Sequence, residues 1–133
     1  MIRDIDIPKV EDIGVAVVNE NVEGEDVWNV YLLNYKNVGI KNILISSKGY
    51  GVLNEEKKKT STLRHFIEYL APHSFELIEP ISEEVFGLSN EYFVTFYIDK
   101  IIHDKKFIFV PEAIKKENFT KVKFIDKEGV LIK

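Results

Sequence analysis

The segment Glu91–Asp99 reads Glu-Tyr-Phe-Val-Thr-Phe-Tyr-Ile-Asp, and it constrains the fold more than any other stretch of the chain. Side chains on a strand point alternately to its two faces. Tyr92, Val94, Phe96 and Ile98 then share one face, and Phe93, Thr95 and Tyr97 share the other. Aromatic and β-branched residues suit a pleated, half-buried surface, so the segment reads as a strand. Val27–Tyr35 has the same character: Trp28, Val30 and Leu32 fall on one face, and Val27, Tyr31, Leu33 and Tyr35 on the other.

Other strand-like runs lie between turn signals. Gly14–Asn19 is a short strand, and Glu20–Asp26 is acidic and turn-like around Gly24. The Asn and Gly of Lys36-Asn37-Val38-Gly39 tolerate positive φ, so this segment is expected to turn the chain into a strand over Asn42–Lys48, forming a hairpin with Val27–Tyr35. Gly49-Tyr50-Gly51 is expected to break that strand, and the polar stretch Asn54–Thr62 to form an exposed loop. Thr62–Leu70 carries a helical spacing (Leu63, Phe66, Ile67, Leu70), but it is short for a helix and its neighbours are strands, so strand is preferred. Ala71–Ser74 is a turn, and Phe75–Ile81 a further strand. Ser82–Asn90 is a loop with room for one helical turn at Ser82–Val85. A turn near Asp99–Asp104 leads into a strand over Lys105–Val110, which Pro111 ends. Glu112–Phe119 is a candidate short helix, and the tail places a turn at Gly129 before Val130-Leu131-Ile132.

About seven short strands with frequent turns predict a mainly-β, antiparallel sandwich. The 133 residues fit one domain, with residues 1–12 as an N-terminal arm and 112–133 as a C-terminal tail. The sequence has no Cys, which excludes disulfides, thiolate catalysis and Cys-ligated metal centres. Its start carries acids early and no apolar h-region, and no apolar run approaches the ~18 residues of a membrane span; a cytoplasmic protein is expected. The net charge of −4 argues against a nucleic-acid binder.

The order Trp28–Asn34, the Asn37/Gly39 turn, Asn42–Ser46, Leu70-Ala71-Pro72-His73-Ser74-Phe75 and Tyr92–Asp99 resembles immunoglobulin-like modules over roughly residues 12 to 111. The Cys pair of antibody domains is absent. The chain also resembles a set of small, uncharacterised bacterial proteins, through Ser46-Ser47-Lys48-Gly49-Tyr50-Gly51 and Lys59-Thr60-Ser61-Thr62-Leu63-Arg64-His65-Phe66. These resemblances imply a fold and no activity.

The search for chemistry yields little. Gly49-x-Gly51 and Lys59-Thr60 fall short of a phosphate loop, which needs Gly directly before Lys. His65, His73 and His103 have no metal-binding frame; Asp99, His103 and Asp104 at a hairpin tip are the nearest approach to a cation site. Glu55-Glu56 and Glu83-Glu84 read as solvated loop acids, and Ser46, Ser47, Ser61 and Ser74 lack a nucleophile elbow. No enzyme, cofactor or metal is expected.

Two surfaces remain. Tyr31, Leu33, Tyr35, Phe93 and Tyr97 are too apolar for a solvated face. If their strands are neighbours in one sheet, they form one patch, covered by the tail (Val122, Phe124, Val130–Ile132) or by a second copy in a homodimer. Tyr50, Lys57, Lys59, Arg64 and His65 form a basic cluster that would suit a phosphate or small ligand. The leading expectation is a non-enzymatic protein-binding or scaffold module; the alternative is a small-ligand or phosphate-binding protein using the Gly49–His65 region.

Overall fold

A computed structural model describes residues 9–133; most of the expected N-terminal arm, residues 1–8, lies outside them. Ten strands follow one another: β1 (Ile13–Val22), β2 (Glu25–Asn34), β3 (Ile40–Leu53), β4 (Glu56–Lys59), β5 (Leu63–Leu70), β6 (Ser74–Pro80), β7 (Ser89–Ile98), β8 (Ile101–Phe109), β9 (Thr120–Val122) and β10 (Lys127–Ile132). They form two antiparallel sheets. One has the order β6-β2-β1-β10-β9; the other runs β4-β3-β7-β8, with β5 also paired to β3. The expected β-sandwich is what forms, and Leu63–Leu70 is a strand.

Between the sheets lies a core in which Val30, Leu32, Val94 and Phe96 are fully enclosed, with Trp28 and Ile98 packed at its margin. Trp28 closes one end of the core. Its ring stands edge-on to Phe86 (5.0 Å) and Phe119 (5.9 Å), and its Nε1 donates to Glu83 at 3.1 Å.

Three hairpins turn on two left-handed residues each: Glu23-Gly24, Asn54-Glu55 and Asp99-Lys100. Such turns match the twist of the flanking strands and leave no loop between them. This overturns two expectations. Gly49-Tyr50-Gly51 does not end a strand, because β3 runs on to Leu53. Residues 56–59 are not loop but β4, paired back on Tyr50–Leu53 and exposed throughout. The Asp99-Lys100 hairpin is also tighter than expected, since its second strand begins at Ile101 and not at Lys105.

The expected hairpin of β2 and β3 does not form. Residues 35–39 instead carry the chain from one sheet to the other, as β2 pairs β1 and β6 while β3 pairs β4, β5 and β7. Asn34 holds this crossover. Its buried side chain donates to Val38 O (2.9 Å), Ala71 O (3.0 Å) and Leu70 O (3.3 Å), and accepts from Lys36 N (3.0 Å). One amide thus ties together both connections at this end, where unpaired backbone carbonyls would otherwise be buried at a cost.

Residues 112–119 are not an α-helix; only Lys116–Asn118 makes a 3-10 turn, while Ile114 is buried in the core. A second 3-10 turn, Glu83–Val85, fills the place expected for a helical turn. Gly129 is not a turn residue. It sits within β10 opposite Val18, where a Cβ would collide with the Val17 backbone, so β10 docks this closely only with glycine there. Among the described residues, no helix is long and apolar enough to cross a membrane.

Candidate functional site

The five aromatic and aliphatic residues expected to form one patch are split between the sheets. Tyr31 and Leu33 lie on β2, with Tyr35 just beyond its end; Phe93 and Tyr97 lie on β7, in the other sheet. The single-patch expectation fails because its premise, neighbouring strands, fails.

The β2 half is covered from within the chain. Leu33, Ala16, Val18 and Val122 are fully enclosed, and Tyr31, Tyr35, Phe124, Ile125 and Leu131 pack around them. Tyr35 stacks at a tilt on Phe124, with ring centroids 5.3 Å apart, and Lys133 Nζ lies over its ring at 4.4 Å. Burial raises the Tyr35 hydroxyl above its ordinary pKa. A polar latch borders this face. Glu20 accepts from Asn29 (2.6 Å) and Tyr31 (2.7 Å) and pairs with Lys127 (2.9 Å). Burial works against the Glu20 carboxylate, but its three donors outweigh it and the pKa falls; burial and the bond to Glu20 push Tyr31 up to about 12.

The β7 half is bare. The outer face of the β5-β3-β7-β8 sheet carries Phe93 and Tyr97, with Leu44 (55% exposed), Phe66 (59% exposed), Ile102 and Ile108 also open to solvent. Register sets them in rows. Phe66 and Thr95 flank Leu44, Arg64 and Phe93 flank Ser46, and Phe93 has Lys106 on its other side. Ser46, small between Arg64 and Phe93, leaves a pit of about 210 Å³ walled also by Leu44 and Thr95. The large residues of this face other than Phe93 and Tyr97 escaped the sequence reading: Leu44 and Phe66 fall in expected strands, but that they share a face with Phe93 follows only from the register, and Ile102 falls in the expected turn Asp99–Asp104.

The basic cluster also divides. Register puts Lys59 opposite Tyr50 and Lys57 opposite Val52, and Arg64 opposite Ser46, so all four candidates stand on this same outer face. Tyr50, Lys57 and Lys59 stand at the β4 end of this face, and Arg64 further along β3, opposite Ser46. Tyr50 donates to Glu91 (3.2 Å), which also draws Lys48 (3.7 Å) and Lys106 (3.9 Å). His65 turns inward instead.

There it meets a partly buried carboxylate. Glu79 Oε1 accepts from His65 Nε2 (2.7 Å) and Ser47 Oγ (2.8 Å), and Oε2 accepts from Tyr92 Oη (3.0 Å). Burial, followed by the charge of Glu79, raises the Tyr92 hydroxyl well above its usual range. The serine hydroxyl and the imidazole both donate to the same oxygen, so no base sits on Ser47 in a nucleophilic relay. Glu79 also binds β6 of one sheet to β3, β5 and β7 of the other. His103 stacks on Phe96 (5.1 Å) rather than joining Asp99 and Asp104, and no three acidic or histidine side chains gather as a metal site among the described residues. No family model, curated protein or solved structure matches the chain.

Proposed function

We propose that the protein is a non-enzymatic binding module of immunoglobulin-like type, acting in the cytoplasm, whose binding surface is the outer face of the β5-β3-β7-β8 sheet. The observation that carries this reading is the contrast of coverage: residues 122–131 close over Leu33 at the centre of one outer face and leave Phe75 and Leu77 open on its edge strand, while the middle of the other leaves Leu44, Phe66, Phe93, Tyr97, Ile102 and Ile108 open. Contiguous apolar area of this kind on a soluble domain marks an interaction site. The order β6-β2-β1 facing β5-β3-β7-β8 supports the immunoglobulin-like assignment, being the E-B-A and C′-C-F-G arrangement of such sandwiches.

The partner is a protein segment with an apolar anchor and acidic flanks. The pit between Arg64 and Phe93 takes the anchor; Arg64 in its wall and Lys106 beside Phe93 favour carboxylates, with Lys59 and Lys57 further along the same face. Peptide display against the intact protein tests this. The enriched sequences should combine an aromatic or aliphatic residue with Asp or Glu, and should lose at least ten-fold in affinity for Phe93→Ser and for Arg64→Glu while circular dichroism stays unchanged. Enrichment of basic peptides, or binding indifferent to both substitutions, sinks the reading. Light scattering on the same protein separates a foreign partner from a second copy: a dimer that Phe93→Glu dissociates makes the chain its own partner.

A further inference from the structure

The sandwich is incompletely closed along the side where β5 and β6 are edge strands. A cleft of about 240 Å³ opens there, with Glu79, Tyr92, Asn90 and the hydroxyls of Ser47, Thr60, Ser61 and Ser82 as polar lining and Lys48 at its edge. Leu63, Ile81 and Val85 supply apolar walls. A dry cavity of about 150 Å³ is enough to hold benzene, so this space admits a ring with a short arm.

The chemistry of the lining is one-sided. Ser47, His65 and Tyr92 direct their hydrogen-bond donors at Glu79. Asn90 Nδ2 donates to Val85 O (2.9 Å) and Leu88 O (3.1 Å). Gly49 N donates to Thr60 Oγ1, and Thr60 Oγ1 to Ser61 O. What remains are the Ser61 and Ser82 hydroxyls, which can donate or accept, and two further acceptors. An ionised carboxylate offers about four lone-pair sites, and Glu79 uses three, leaving Oε2 able to accept once more. Asn90 Oδ1 lies beside Gly49, where the missing side chain leaves it open. Lys48, which borders the cleft, turns its ammonium to Glu91 on the outer face, 3.7 Å away.

A cleft whose amide, imidazole and phenol donors are engaged, with hydroxyls that can accept and a largely enclosed carboxylate (11% exposed) on its wall, selects a cation that donates hydrogen bonds. We infer that it binds a small primary ammonium with a short apolar body, the head group on Glu79 and Asn90 and the body against Leu63, Ile81 and Val85. The site is independent of the outer-face surface, so neither stands or falls with the other.

Titration of the isotope-labelled protein with benzylamine, benzyl alcohol and benzoate, followed by amide NMR at neutral pH, tests it. Benzylamine should shift the Ser47, Gly49 and Asn90 resonances saturably and bind at least ten-fold tighter than benzyl alcohol, and benzoate should give no saturable shift. Glu79→Gln should erase the preference for the amine. Leu63→Trp, which fills the mouth without touching the Glu79 hydrogen bonds, should abolish binding of all three, and it serves if Glu79→Gln does not fold. Equal affinity for amine and alcohol, benzylamine shifts confined to residues outside the cleft, or no saturable shift overturns the inference.

Discussion

The two outer faces of this sandwich start from the same pattern and end differently. On β2, Tyr31 and Leu33 alternate with core residues, and Tyr35 follows just past the strand; on β7, Phe93, Thr95 and Tyr97 do the same. Yet Leu33 is fully enclosed, while Phe93 and Tyr97 stay more than a third exposed. The difference lies elsewhere in the chain. β10 pairs with the free edge of β1, and this brings Leu131, Val122, Phe124 and Ile125 over the first face. Nothing among the described residues covers the second. An apolar side chain on both faces of a strand therefore announces two coverings without saying whether either comes from the same chain.

The largest effect that would break this comparison comes from a charge on each face. Leu33→Asp places a carboxylate where no water reaches, and the protein should not fold; Leu44→Asp, on the bare face, should melt within a few degrees of wild type by circular dichroism. Equal damage from both would show the second face to be covered after all. Next comes Trp28→Ala, which belongs to neither face and should cost about 3–5 kcal/mol in urea denaturation, setting the scale of a core loss.

The latch gives a smaller and pH-dependent effect. Glu20→Gln should cost about 1–3 kcal/mol at neutral pH, since hydrogen bonds to a charged group are lost. The Glu20 pKa is lowered on folding, so its contribution is complete above the unfolded value near 4.5 and fades as pH falls through the folded value. Tyr31 runs the other way. Its pKa rises on folding from 10.0 to about 12, so its share is complete below 10 and lost between the two values. Denaturation curves across pH should show both limbs flattened in Glu20→Gln. Unchanged limbs would remove the latch as a support of the covered face. The smallest effect is expected from Phe66→Ser with Ile102→Ser, within about 0.5 kcal/mol each, because both side chains are already in water. A sizeable destabilisation would mean the bare face packs more than its exposure indicates.

The strands were legible wherever alternation was strong, as at Trp28, Val30 and Leu32 or Tyr92, Val94 and Phe96. What was not legible was partnership. Residues 36–39 carry hairpin chemistry, but the crossover is fixed by Asn34 reaching carbonyls at Leu70 and Ala71, far along the chain, which no local pattern reveals. The turns at Asn54-Glu55 and Asp99-Lys100 lack the glycine that signals such turns, so β3 and β8 were read too short. Gly129 looked like a turn because its reason, the Val17 backbone against it, lies across the sheet. Of the sites, Phe93, Tyr97 and the lysines were found as residue types, but their common face emerged only from register. Glu79 carried no signal at all, since its partners come from three other strands.

The pairing of β1 with β10 also has a kinetic side. The first sheet cannot be completed until strands from opposite ends of the described chain meet, and such distant closure is slow compared with forming a hairpin. Until then β1 keeps a naked edge, and Ala16, Val18 and Leu33 lack their covering. A nascent or refolding chain would therefore pass through a state in which the β1–β2 hairpin is formed and adhesive, and strand 127–132 acts as the built-in stopper that ends this vulnerable interval.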